Sequence, residues 1–548
     1  MAAPVAAAPS PLRDPIPPTP ANFAITPWQA VKAADRAPDV VDARRQNGPL
    51  SVAIAVVGED RWELKYFGPA DADGILHQTN LVVVDAETGA VVESWVGIAV
   101  AWPLARGREG QFGHLLNAPY VWLPLCALFL ALLIDFRQIR QLAHLDLLVL
   151  LSFGIGHIFF NNAQIGASVV LAYPPLIYLM IRAVSIGRRG NRPTDRLKPP
   201  APSWVFAVAL VVLLAGRIVL NTADSGVIDV GYAGVIGADR ISHGEPIYGE
   251  STFPEDNPRG DTYGPAAYLA YVPFEAAFGW SGSWDDLPAA HAAAIFFDLA
   301  TVAGLLACGA RFGSRRVGLI AGFAWVAFPY TTFALQANSN DSLVSALVVW
   351  GLFALASPLA RGVLVAIAAL TKFAPLALVP LFLAGRNGAW GDRRRFLPSR
   401  EAVLCAAAAI AISAFLLAGP AIEPGLGTFW DRTIANQAAR QSPFSIWGWF
   451  EIGPLRTIVE AIVAVAIVMP LLRRRRRRTP AQIAALAAAL LIAAELTVEH
   501  WFYLYIPWFY GPLLVALTLP AAGSTIDSIE TARPRSSTST QTALTHGF

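Results

Sequence analysis

The stretch Ser203-Trp-Val-Phe-Ala-Val-Ala-Leu-Val-Val-Leu-Leu-Ala-Gly-Arg-Ile-Val-Leu-Asn-Thr-Ala-Asp-Ser-Gly-Val-Ile-Asp229 decides how this chain folds. Its first part, 203–220, is apolar over nearly the ~20 residues a helix needs to cross a ~30 Å hydrocarbon layer. It then turns polar and reaches a carboxylate, Asp229, close to where the membrane ends. Similar runs lie at about 118–136, 143–160, 167–183, 288–310, 317–334, 341–357, 401–419, 455–472, 479–497 and 503–520. Hydrophobic residues make up 55% of the 548 and charged residues 15%, against about 25% charged in soluble domains. An all-α polytopic membrane protein follows, and a soluble enzyme is excluded.

Charge placement orients the spans. Lysine occurs at 32, 65, 198 and 372, so almost every other cation is arginine. The groups Arg137/Arg140, Arg182/Arg188/Arg189, Arg311/Arg315/Arg316, Arg393/Arg394/Arg395 and the run Arg473–Arg478 flank apolar segments, and such clusters stay cytoplasmic. The six-arginine run therefore reads as a topology anchor, not a nucleic-acid patch. Alternation works if 361–385, interrupted by Lys372 and Pro375, enters and returns as two short helices meeting near Lys372. It also requires 263–280 to stay at the outer surface. About 11–13 crossings result, with the loops 221–287, 420–454 and 498–502 outside.

The ends differ in character. Residues 1–24, rich in Ala and Pro, read as a disordered leader without the apolar core of a cleavable signal peptide. Residues 25–110 read as a small α+β domain, with strands at 50–57 and 61–67 and a hairpin over 81–96 turning at Asp85-Ala-Glu-Thr-Gly89. Leu81 to Trp95 weakly resembles the second half of a PepSY domain. The topology places this domain outside. Residues 118–183 supply three transmembrane helices, 203–520 the main membrane domain, and 521–548 a Ser/Thr-rich cytoplasmic tail that reads as disordered. Cys126, Cys308 and Cys405 lie in apolar segments without metal-ligand spacing, so neither a zinc site nor a disulfide framework is expected.

Chemistry is expected in the outer loops. A carboxylate beside a membrane-helix end can take a proton from a hydroxyl presented near the headgroup plane; Asp229 fits, whereas Asp239, Glu245, Glu255 and Asp256 read as solvated loop acids. Lys372, alone among the lysines in an apolar segment, needs a phosphate, a neighbouring carboxylate or a route outward for its ammonium. Arg440 has the forked geometry for phosphate oxygens or is a loop arginine. His500 is a phosphate donor or part of an interfacial belt with Trp501, Tyr503, Tyr505 and Trp508. His157, Asn161 and Asn162 read as helix-end groups, and Asp298, mid-span, needs a partner that the sequence does not name.

These motifs, in order, carry a resemblance. Asp229 follows an in-to-out helix; then come Gly244-Glu-Pro-Ile-Tyr248, Asp261-Thr-Tyr263-Gly-Pro265, Gln336-Ala-Asn338-Ser-Asn-Asp341, Leu370-Thr-Lys372-Phe-Ala-Pro375, Arg440-Gln-Ser-Pro-Phe-Ser445 and Glu499-His500-Trp501. Over 203–520 the chain resembles the GT-C superfamily, and within it glycosyltransferase family 87. The resemblance implies an integral membrane enzyme of the bacterial plasma membrane. It would transfer a hexose, with mannose the expected sugar, from a polyprenyl-phosphate donor to an envelope glycolipid, glycan or protein acceptor outside, with inversion. It implies Asp229 as the catalytic base and Lys372, Arg440, His500, Tyr248, Asp261, Tyr263, Gln336 and Asn338 as substrate-binding residues. Neither cofactor, metal nor nucleic-acid partner is implied. The front third, 1–183, departs from the simplest members. The alternative reading is a transporter or flippase of lipid-linked sugars, which would favour mid-membrane charges and repeated halves.

Overall fold

The computed structural model describes residues 11, 15–58, 60–71, 76–110, 115–190, 192, 195–392, 397–472 and 477–520. The expected tail, most of the expected leader, Arg393 to Arg395 and the first four residues of the Arg473–Arg478 run lie outside them. The chain divides into two compact units, residues 1–111 with 158–165, and 112–157 with 166–548.

The first unit is a four-stranded antiparallel meander, β1 (Ser51–Val57), β2 (Arg61–Phe67), β3 (Gln78–Asp85) and β4 (Val91–Val96), in sequence order. Two helices, α1 (Pro27–Ala34) and α2 (Pro38–Asn47), precede it. α1 starts where it does because Thr26 and Gln29 close a capping box and Pro27 occupies the first turn. Alternation puts Val52, Ile54, Trp62, Leu64, Tyr66, Val82 and Val84 in one core with Ala30, Val31, Ala34 and Val40. Part of the expected leader belongs to this unit: Phe23 packs edge-on against Trp62 at 5.0 Å, and Pro11 O accepts from Val52 N–H at 3.0 Å. The hairpin turns as expected, with Asp85 Oδ1 accepting from Thr88 N–H at 2.7 Å and Gly89 at φ 73°.

The second unit is helical. Leu142–Asn161, Ile165–Arg189, Ser203–Ala223, Pro288–Phe312, Arg400–Ile422 and Gly453–Leu472 are each long and apolar enough to cross a membrane. A seventh span is broken: Arg315–Ala327 and Pro329–Gln336 meet at 60°. Pro329 supplies no N–H and pushes Phe328 into extended conformation, which ends the first helix there. Shorter apolar helices run over Pro119–Leu133, Asp341–Phe353, Pro358–Thr371, Ala374–Ala384, Pro480–Glu495 and Tyr503–Thr518. The protein is a multi-pass membrane protein. Its outer helices are recognisable from what they expose: Ile410, Phe415, Ile462 and Val465 are all more than half exposed, which costs little against lipid. Arg315–Gln336, Asp341–Phe353, Pro480–Glu495 and Ile506–Thr518 are mostly buried and form the centre.

Three local features place the site. The apolar stretch 361–385 breaks at Lys372, an extended residue (φ −136°, ψ 141°) between two short helices. The stretch 263–280 forms two helices too short to cross, Pro265–Leu269 and Val272–Phe278. Residues 229–242, read from sequence as loop, form a helix, Asp229–Ser242, whose residues 230–238 are all buried. Its glycines at 231, 234 and 237 present one smooth face to Tyr268, Tyr271 and the Asn338 backbone, so its apolar character serves packing and not a membrane crossing.

Candidate active site

Asp229 is the first residue of its helix, and its Oδ1 accepts from Val230 N–H at 2.9 Å. The approach to it is pinned from one side. Gly226 N–H donates to Gln336 O at 3.3 Å and Ile228 N–H to Ala337 O at 3.0 Å. Asn338 donates through Nδ2 to Ser225 Oγ at 3.0 Å and Gly226 O at 2.9 Å. Its own Oδ1 accepts from Asn221 Nδ2 at 2.8 Å. Asn338 sits at φ 48°, a left-handed conformation that asparagine tolerates better than most residues. Gln336, with its amide oriented to satisfy both groups, donates to Asp224 O at 3.1 Å and accepts from Asn221 N–H at 3.2 Å.

The same segment continues into Asp341, in the first turn of the Asp341–Phe353 helix. Asp341 Oδ1 accepts from Lys372 Nζ at 2.5 Å and from Trp508 Nε1 at 2.7 Å. The rings of Trp508, Tyr505 and Tyr263 surround the ammonium at 5.1, 5.6 and 5.8 Å from their centroids, within cation–π range. Tyr505 and Trp508 stack on each other at 4.3 Å. A neighbouring carboxylate, one of the options the sequence left open for Lys372, is present and lies 31 residues upstream.

His500 is held by the loop that follows Arg440. His500 Nδ1 lies 2.8 Å from Ser442 Oγ, two residues past Arg440, and its ring meets Phe444 edge-on at 5.5 Å. Enclosure by protein pushes the His500 imidazole well below its ordinary value, and the charges of Arg440 and Lys372 push the same way. It is therefore neutral near pH 7. Asp229 experiences the opposite balance. Enclosure raises its carboxyl above the ordinary range, while Arg440 and Lys372 draw it back down. Its side chain nonetheless keeps exposed surface. Asp229, Lys372, Asp341, Arg440, His500, Tyr263 and Tyr505 thus share one electrostatic neighbourhood. The arrangement suits a reaction in which a base accepts a proton while cations and ring faces hold an anion.

Residues 262–498 match the model of glycosyltransferase family 87. They form a glycosyltransferase family 87 domain. No curated protein matches the chain. The glycosyltransferase domain contains Tyr263, Gln336, Asn338, Asp341, Lys372 and Arg440, while Asp229 precedes the matched residues and His500 and Trp508 follow them.

The other expected contacts of the glycosyltransferase take different places. Asp261 is fully buried, and its carboxylate binds the Arg432 fork, Nε at 2.5 Å and Nη2 at 2.9 Å, and Gly249 N–H at 3.1 Å. Tyr248 is 1% exposed and donates its hydroxyl to Tyr263 O at 3.0 Å. Gln336 and Asn338 are fully buried, with their amides engaged as described. Tyr263, half-buried, faces Lys372. The expected belt at 501–508 is turned inward: Trp501, Tyr503 and Trp508 are each at most 5% exposed. His157 lies buried among Trp122, Tyr330, Phe333 and Tyr503, stacked on the last at 4.7 Å. Asn162 does serve a helix end, donating to Ile158 O at 2.7 Å.

Asp341, Trp508 and Arg432 were missed as partners. A signal existed for the first: an ammonium in an apolar segment calls for an anion, and Asp341 is an acid opening an otherwise apolar run. Nothing in the spacing pairs Arg432 with Asp261, 171 residues apart.

Proposed function

We propose that this glycosyltransferase takes a hexose, mannose by the family likeness, from a polyprenyl-phosphate donor and attaches it to an envelope glycolipid, glycan or protein on the extracytoplasmic face of the bacterial plasma membrane. Asp229 is the general base. It removes the acceptor hydroxyl proton as the oxygen attacks the anomeric carbon, and a single displacement inverts the configuration. Lys372 and Arg440 bind the donor phosphate, Arg440 through its fork and Lys372 as a point charge. Neutral His500 donates a hydrogen bond to the same group. Tyr263 flanks Lys372 with its ring face. Tyr248, Asp261, Gln336 and Asn338 hold the loops that carry these groups and do not touch substrate.

Charge bookkeeping supports this reading. Asp229 and Asp341 offset the charges of Lys372 and Arg440. The donor phosphodiester has one negative charge and the departing lipid phosphate two, while Asp229 loses its charge to the acceptor proton. The reaction thus moves an anion toward the cations without adding one overall, which prearranged cations favour.

The observation that carries the proposal is the convergence of Asp229, Lys372 and Arg440, from three distant segments, on one enclosed neighbourhood. The test uses purified protein in lipid nanodiscs with a polyprenyl-phosphate sugar donor. Lys372→Met and Arg440→Ala are expected to raise the donor KM on the order of tenfold or more and to change the acceptor KM less. Equal effects on both substrates would contradict phosphate recognition by these cations.

A further inference from the structure

We propose that Asp341 is a resident counter-anion that holds Lys372 before the donor arrives and reclaims it from the lipid phosphate after transfer, so that it drives product release. The inference rests on the reading of Lys372 as a donor-phosphate ligand.

The geometry sets up a competition. Asp341 is 1% exposed and Lys372 7%, so the carboxylate is sealed in while the lysine side chain retains a small open surface. One of the three ammonium N–H groups goes to Asp341 Oδ1 at 2.5 Å, and Tyr263, Tyr505 and Trp508 surround the ammonium with ring faces. A phosphate that takes up Lys372 must therefore share it with an anion already at hydrogen-bond distance. Transfer breaks the anomeric carbon–oxygen bond to phosphate and forms the bond to the acceptor oxygen. The electron pair stays on the phosphate oxygen, and the acceptor proton goes to Asp229. The phosphate then carries a second negative charge beside Lys372 and Arg440, and its hold on the site increases when it has to leave. Asp341, fixed in the first turn of its helix, is placed to take Lys372 back.

Trp508 sets the strength of this competition. Its N–H shares Asp341 Oδ1 at 2.7 Å and draws off part of the carboxylate charge that Lys372 experiences. Removing that hydrogen bond should make Asp341 hold Lys372 harder. Removing the Asp341 charge should do the reverse, because an asparagine oxygen can still accept both hydrogen bonds but no longer offsets the ammonium charge.

The experiment measures direct binding of farnesyl phosphate to the full-length protein in detergent, by calorimetry, for wild type, Asp341→Asn, Trp508→Phe and Lys372→Met. Asp341→Asn is expected to bind several-fold tighter, on the order of tenfold, and to turn over more slowly with stronger product inhibition. Trp508→Phe is expected to bind more weakly. A merely structural role for Asp341 would give weaker binding, since a displaced Lys372 holds no phosphate, and weaker or unchanged binding in Asp341→Asn overturns the proposal. Should that variant fail to fold, Trp508→Phe decides, and unchanged or tighter binding there overturns it. Lys372→Met separates the two levels: if it leaves farnesyl phosphate binding intact, the reading of Lys372 fails, whereas weaker binding there leaves the Asp341 arms as the test.

Discussion

Arg217 donates through Nη2 to Asp298 at 2.9 Å, joining the Ser203–Ala223 and Pro288–Phe312 helices with both side chains 3% exposed. Trp325 Nε1 donates to the same carboxylate oxygen at 2.8 Å. This pair answers the need for a partner that a mid-span acid creates, and it anchors the helix that leads to Asp229. Asp298→Ala should cost about 3–5 kcal/mol, because it leaves the guanidinium buried alone. The double variant Arg217→Met/Asp298→Leu should recover most of that loss. Thermal unfolding in detergent measures both, and a double variant as unstable as the single would show that packing, not charge, accounts for the cost.

Asp229 predicts a conflict between stability and function. Its folded carboxyl is raised by enclosure, so the folded protein binds a proton that the unfolded chain has already released. The carboxyl is protonated in both states below the unfolded value, near 3.9, and its ionisation destabilises the fold increasingly as pH rises from there through the folded value. Asp229→Asn should therefore melt at a higher temperature than wild type at pH 8, and the difference should vanish toward pH 4. A variant less stable than wild type at pH 8 would contradict the enclosure. The acid limb of kcat/KM should likewise lie above the ordinary aspartate range.

Asn338 should act through position alone. Asn338→Ala removes the amide that holds Ser225 and Gly226, and places alanine at φ 48°, a conformation alanine disfavours by ~1 kcal/mol or more. The expected result is a fall in kcat of about tenfold or more, because small displacements of a reacting group are costly, with the donor KM little changed. A donor KM that rises in parallel would indicate direct contact with the donor.

Arg432 should be irreplaceable by lysine. Its two nitrogens meet both oxygens of Asp261, and a lysine cannot reproduce that fork. Arg432→Lys and Arg432→Met should both loosen the 246–262 segment, seen as faster backbone hydrogen exchange there. Exchange unchanged from wild type in both variants would remove the pair from the support of the site.

The membrane architecture was legible because hydrophobic length is a local property: eighteen or more apolar residues read the same wherever they occur. The break at Lys372 was legible for the same reason, since a lysine and a proline interrupt an apolar run within four residues. The 229–242 helix was not. Its Gly231, Gly234 and Gly237 look like loop residues until Tyr268 and Tyr271 are seen filling the space a side chain would occupy. Nor was the division between contact and support legible. Asp229 and Asp261 are both outer acids in sequence, and what separates them is that Arg432, 171 residues away, occupies one of them. Tyr505 and Trp508 carry the same composition signal as a headgroup belt, and burial around Lys372 distinguishes them only in three dimensions.

The most direct test of the account is sugar transfer by Asp229→Asn, assayed in nanodiscs with a polyprenyl-phosphate sugar donor beside the wild type. The variant is expected to insert, fold and bind farnesyl phosphate at least as tightly as wild type, yet to transfer no sugar. Turnover near the wild-type rate in that variant would remove the base from the mechanism and with it the convergence on which the proposed reaction stands.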